Sequence, residues 1–180
     1  MSTIQNCAHP ATVSFQRLVA SQQPPEDRED HADARRGFIG SIDDAAITRA
    51  DGGSVWNLAA YGFLADAAAP DTVNPLLWRQ ARLNREHGLF QVTERIFQVR
   101  GFDIANITFI ETDHGVMAFD ALMVPETAAA ALALYRKHRG DRPLHTVIYS
   151  HSHVDHFGGV TGLVSQEDVD AGRVQIIAPA

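Results

Sequence analysis

The feature that most constrains this chain is the run His151-Ser152-His153-Val154-Asp155-His156, which follows the β-branched stretch Leu144 to Tyr149 and precedes Phe157-Gly158-Gly159. Four metal-ligating side chains fall within six residues. On an extended segment, side chains two positions apart share a side, so His151 and His153 are placed to close on one ion, while Asp155 and His156 face elsewhere and suit a second. Imidazole and carboxylate without thiolate favour zinc, with manganese and iron as the other metals of matching preference. A set of this kind at the end of a strand, before a glycine-rich helix entry, reads as a hydrolytic, binuclear centre rather than as a solvated histidine-rich turn.

The remaining composition sets limits around that centre. The 180 residues, 45% of them hydrophobic, are enough for one domain with a packed core. A net charge of −7 argues against a nucleic-acid partner, which needs a basic face to displace counterions. The single cysteine, Cys7, permits no internal disulfide. Residues 1–20 lack a leader pattern and no run approaches a membrane span. Those absences predict a cytoplasmic protein; a different start would make it periplasmic or secreted.

Along the chain, residues 21–37 (SQQPPEDREDHADARRG) are charged and poor in large apolar groups, which predicts a linker or loose arm. Residues 1–54 are accordingly expected to form an N-terminal arm and linker, and 55–180 part of a catalytic domain. Residues 55–66 (VWNLAAYGFLAD) are dense in large apolar groups that must pack. Asn74-Pro75 opens a helix over 76–87, closed by Gly88; Trp78 and His87 on it are packing or surface groups. Short strands are expected at 89–93, 96–100, 107–112 and 116–119, an antiparallel meander with a tight turn at Asp113-His114-Gly115. The alanine-rich stretch 126–138, bounded by Gly140, reads as a helix with its basic residues at the C-terminal end. A strand over 144–149 completes a strand-helix-strand unit, and the histidines then stand beyond the carboxyl end of a strand, where open α/β sheets bind ligands. A short helix over 157–164 and a last strand over 174–178 follow.

The His-x-His-x-Asp-His spacing resembles the signature of the metallo-β-lactamase superfamily. Longer stretches narrow the resemblance: 68–115 (AAPDTVNPLLWRQARLNREHGLFQVTERIFQVRGFDIANITFIETDHG), the helix and strand through the histidines (ETAAAALALYRKHRGDRPLHTVIYSHSHVDHFGGV) and the tail AGRVQIIAP are similar to zinc-dependent alkylsulfatases, sulfuric ester hydrolases that act on alkyl sulfates such as dodecyl sulfate. The resemblance covers roughly residues 55–179. It implies the αββα sandwich, an α/β (α+β) fold of which the N-terminal half is present. It also implies two zinc ions per complete site, His151 and His153 on one, Asp155 and His156 on the other, with Asp155 as the candidate catalytic group that orients the water the metals acidify. Asp120 matches the position of an aspartate that supports the metal loop by hydrogen bonds to the residues around the ligands. Asn106 matches a segment near the active-site floor and reads equally as a turn residue; His114 and Tyr149 read as structural.

In that family further ligands, two acidic residues and a histidine, lie downstream with the sulfate-binding residues, a helical dimerisation domain and a lipid-carrier-like domain. Here no histidine follows His156, and the later acids Glu167, Asp168 and Asp170 cluster in what reads as a polar surface turn. The chain is therefore expected to be an N-terminal fragment, inactive by itself and prone to associate through an uncovered sheet face or edge; the full-length form would be a homodimer that takes an alkyl sulfate surfactant as substrate. Two alternatives stay open: another hydrolase of the superfamily, a thioesterase or lactonase, and a truncated, non-catalytic zinc-binding protein.

Overall fold

A seven-stranded sheet, all but one of whose strands fall within residues 88–177, is seen in a computed structural model that describes residues 8–24, 28–43, 46–65 and 68–180. Cys7, Pro25 to Asp27 and Asp66 lie outside those residues. In chain order the elements are α1 (Pro10–Ser21), α2 (Arg28–Arg35), β1 (Phe38–Gly40), β2 (Ala46–Thr48), β3 (Ser54–Asn57), a 3₁₀ segment Leu58–Ala65, and α3 (Pro75–Asn84). Then come β4 (Gly88–Thr93), β5 (Ile96–Arg100), β6 (Ile107–Glu111), β7 (Val116–Phe119), α4 (Pro125–Arg139), β8 (Leu144–Ile148), α5 (Val154–Phe157), a 3₁₀ turn Val160–Gly162, α6 (Gln166–Asp170) and β9 (Gln175–Ile177).

The chain divides into two compact units, residues 1–34 with 62–85 and residues 35–61 with 86–180. In the first, Asn74 accepts from the backbone N–H groups of Leu76 and Leu77 at 2.9 and 3.3 Å and so caps α3 as its sequence predicts. Phe63 lies against Trp78, ring centroids 5.8 Å apart. The charged stretch read as a loose arm contains α2 instead. Glu29 and Asp30 in its first turn and Arg35 in its last suit the helix dipole, and Asp30 pairs with Arg79. Charge pairing, not apolar burial, accompanies this helix.

In the second unit the sheet order is β1-β4-β5-β6-β7-β8-β9, antiparallel from β1 through β7 and parallel across β7, β8 and β9. The predicted meander and strand-helix-strand unit are both present. Helix α3 stops at Asn84, with Arg85 at its C-cap, because Gly88 serves the sheet rather than the helix. Its φ is +130°, and a Cβ there would stand 2.4 Å from the Gly40 carbonyl oxygen of β1.

Helix α4 lays Ala128, Ala131, Leu132 and Tyr135 into the core with Phe97, Val99, Ile107, Phe109, Ala118 and Val147. Tyr135 stacks on Phe109 at 4.7 Å and meets Phe97 edge-on at 6.1 Å. At the end of this core Glu111 is buried and fully engaged. Tyr135 Oη and Arg139 Nε donate to its Oε1, each at 2.9 Å, and Arg139 Nη2 donates to Oε2 at 3.2 Å, with Arg142 at 3.3 Å. The Arg139 hydrogen bond is the largest influence and holds the Glu111 carboxyl below the ordinary range; burial opposes it, and the Tyr135 hydrogen bond and the charges of Arg139 and Arg142 reinforce it. Phe119 and Ile177, on the other phase of the strand alternation, are exposed. Among the described residues no helix is long and apolar enough to cross a membrane.

After β8 the expected single helix over 157–164 is broken into α5 and the 3₁₀ turn. Gly158 and Gly159 between them press on the 120–124 loop: a Cβ on Gly159 would lie 2.2 Å from the Ala121 carbonyl oxygen and 2.7 Å from that of Val124. Gly159→Ala is therefore expected to cost about 1–3 kcal/mol through overpacking, read as a lowered urea midpoint; an unchanged midpoint would contradict the close approach. Because the folded-state carboxyl of Glu111 is depressed, its contribution is complete at neutral pH and is lost as pH falls below about 4. The stability difference between wild type and Glu111→Gln should shrink on acidification through that window, and a pH-independent difference would refute the assignment.

Candidate metal centre

The parallel strands β7 and β8 end side by side, and the loops that leave them carry the predicted site residues. Strand β8 stops at Ile148, so the histidines do not lie on extended strand; residues 150–152 bend and His153 is the N-cap of α5. Simple two-residue alternation therefore does not position them. The bend and the single turn of α5 do, and they gather three imidazoles. The ring of His151 lies 4.0 Å from that of His156 and 4.7 Å from that of His153, centroid to centroid.

Beneath the rings sits Asp120, 7% exposed, at the end of β7. Its Oδ1 accepts from the Ser150 backbone N–H at 2.8 Å. Its Oδ2 accepts from the Ser150 hydroxyl at 2.9 Å and from His156 Nδ1 at 2.7 Å. Ser150 has one hydroxyl proton, and with that committed to Asp120 its oxygen accepts from His151 Nδ1 at 2.9 Å. This hydrogen-bond arithmetic assigns Nδ1–H to both His151 and His156, so that in the neutral ring each carries its lone pair on Nε2. An Nε2 lone pair with its Nδ1–H on a carboxylate or hydroxyl is the arrangement metal-bound histidines adopt.

His156 Nε2 in turn lies 3.2 Å from Asp155 Oδ2. A proton on the ring satisfies that contact, and a cation held jointly by the nitrogen and the carboxylate oxygen would satisfy it equally. The donor chemistry thus fits a divalent metal, although among the described residues no three His, Cys, Asp or Glu side chains stand as a closed ligand group. His151, Asp155 and His156 are half-buried and His153 is exposed.

The 120–124 loop is held in an uncommon conformation: Asp120 has φ 64° and Leu122 φ 60°. Left-handed backbone at residues with a Cβ costs about 1–3 kcal/mol each and persists only where surrounding contacts over-determine it. Here Asp120 N donates to Ile148 O and Ala121 N to His156 O, each at 2.8 Å, and Gly159 N donates to Leu122 O at 2.9 Å. The loop below the histidines and the segment that carries them fasten one another.

Other residues singled out from the sequence lie apart from this cluster. Asn106 is exposed ahead of β6, His114 is exposed in its turn, and Tyr149 packs on Phe157 with ring centroids 5.9 Å apart. Glu167, Asp168 and Asp170 are in α6, a short helix capped by Ser165 rather than a bare turn. Arg173 pairs with Asp168 at 2.7 Å and Glu167 at 3.2 Å. Sequence reasoning passed over Ser150, whose only signal was its place between Tyr149 and His151.

Comparison with known proteins agrees with this layout. The sequence model of the metallo-beta-lactamase superfamily matches residues 100–180. An alkyl/aryl-sulfatase of Saccharomyces cerevisiae is 50% identical over 170 residues, 94% of this chain and 26% of that protein. An (R)-specific secondary-alkylsulfatase of Pseudomonas sp. is 49% identical over 169 residues, 94% of this chain and 25% of its own length. The solved structure of a stereoselective inverting sec-alkylsulfatase from Pseudomonas sp. superposes with a TM-score of 0.90 at 46% identity, covering 98% of this chain and 28% of that one. The similarity reaches N-terminal of Val55, where the sequence resemblance stopped. The chain spans about a quarter of the curated relatives it matches. This chain is thus similar to alkylsulfatases over 94% of its length, and its residues 100–180 match the metallo-beta-lactamase superfamily.

Proposed function

We propose that these residues form the metal-nucleating part of an enzyme that hydrolyses alkyl sulfate esters to alcohol and sulfate. The observation that carries the reading is the trio of His151, His153 and His156 held over Asp120 at the ends of two parallel strands, in a chain about half identical to alkylsulfatases. His151 and His153 would hold one zinc ion, and Asp155 with His156 the other. Bound zinc would supply a water of lowered pKa and positive charge against the charge that develops on the sulfate ester. Asp155, at the rim beside His156 Nε2, would orient that water, and Asp120 keeps the His156 ring turned so that its Nε2 faces the reaction side.

A second reading, zinc binding without turnover by these 180 residues alone, draws support from the lack of a closed three-donor group among the described residues. Four protein ligands are too few for two zinc ions.

Both readings are decided by one set of measurements. Zinc titration of the chain should show binding that His153→Ala or His156→Ala weakens at least tenfold; binding indifferent to both substitutions would end the metal assignment. Sulfate release from dodecyl sulfate is expected to be absent for the 180 residues by themselves. It should appear when they replace the matching quarter of the Pseudomonas (R)-specific secondary-alkylsulfatase, and disappear again with His153→Ala. Turnover by that chimera unaffected by His153→Ala would refute the proposed role.

A further inference from the structure

The best-engaged buried carboxylate outside the histidine cluster and the Glu111 ion group is Asp103, 7% exposed, in the loop between β5 and β6. That loop is itself pinned, since the Trp56 indole donates to the Gly101 carbonyl at 2.8 Å and Phe102 is fully buried. Asp103 Oδ1 accepts from Ile104 N at 2.7 Å. Its Oδ2 accepts from the Thr127 hydroxyl at 2.6 Å and from the Met123 backbone N–H at 3.1 Å. Thr127 is 1% exposed and stands in the first turn of α4, whose N-cap Val124 supplies no side-chain bond. Asp103 thus ties the first turn of α4, through the Thr127 side chain, and the residue before its N-cap, through the Met123 N–H, to the loop between β5 and β6.

Met123 closes the loop in which Asp120 and Leu122 take left-handed backbone conformations. The loop's backbone anchors at Ile148, His156 and Gly159 belong to β8 and the histidine segment, and Val124 O accepts from Ala128 N of α4 at 3.2 Å. Asp103 adds an anchor from the loop between β5 and β6, a different part of the fold. Without it the Met123 N–H loses its acceptor and the end of the loop is held less tightly.

We infer that Asp103 is a positioning residue for the metal centre: by holding Met123 and Thr127 it fixes the 120–124 loop, so that Asp120 meets Ser150 and His156 in one orientation. The inference rests on the metal reading above and extends it to a residue that touches neither the histidines nor Asp120.

The test is a cycle of zinc affinities for wild type, Asp103→Asn, Asp120→Asn and the double variant, each measured well below its thermal transition. Asp103→Asn is expected to weaken zinc binding about tenfold, the low end of the range for carboxylates that orient ligands. In the Asp120→Asn background it should add little, because both substitutions act through the same carboxylate. Unchanged affinity in Asp103→Asn, or an equal loss in both backgrounds, would overturn the inference; a lowered melting temperature alone would mark Asp103 as structural only. If Asp103→Asn does not fold, Thr127→Val, close in shape but without the hydroxyl, carries the same prediction with a smaller loss. If wild type binds no zinc, the metal reading fails first, and the metal-free protein decides the inference. The hydrogen-bonded Nδ1 proton of His156 should then be seen by NMR in wild type and be lost or broadened in the Asp103 or Thr127 variant; its persistence in both would overturn it.

Discussion

The hydrogen bonds that Asp120 accepts from Ser150 and His156 are what the histidine-bearing end of the second unit depends on. A buried carboxylate with three donors is stable only if all of them arrive together, and they come from a segment some thirty residues away in sequence. Satisfying that carboxylate therefore fixes the end of β7 against the bend after β8 and sets the tautomers of two imidazoles in the same act. The left-handed backbone at Asp120 and Leu122 is a local cost that this arrangement sustains.

The rest of the second unit serves that junction. Parallel pairing of β7 with β8 requires a crossover, and α4 makes it, filling the core with Tyr135 and the alanines around it. The two ends of α4 are secured by different acids: Asp103 holds Thr127 and Met123 at the start, and Glu111 takes Tyr135 and Arg139 near the finish. Glycines at 158 and 159 then let the segment after the histidines lie against the carbonyls of the 120–124 loop, at a distance that no side chain allows.

Much of this was legible in the sequence, for local reasons. The meander showed because strand alternation and the Asp113-His114-Gly115 turn are short-range signals, and α3 because Asn74-Pro75 is a self-contained start. The histidine cluster showed because its members lie within six residues. What escaped was set by contacts distant in sequence. Helix α2 looked loose because its partner for Asp30 is Arg79, far along the chain. Strands β1 and β2 have three residues each, too few for a period. Ser150 and Asp103 carry no motif; their roles exist only once the loops after β5, β7 and β8 are brought together.

The central claim, that Asp120 holds His156 with its Nε2 free for a metal, is most directly tested by ¹⁵N NMR of the histidine side chains in the metal-free protein. The account predicts an Nδ1–H tautomer for His156, with the proton hydrogen-bonded to Asp120 and its signal abolished by Asp120→Asn. An Nε2–H tautomer, or a ring averaging freely between the two and indifferent to Asp120→Asn, would contradict it.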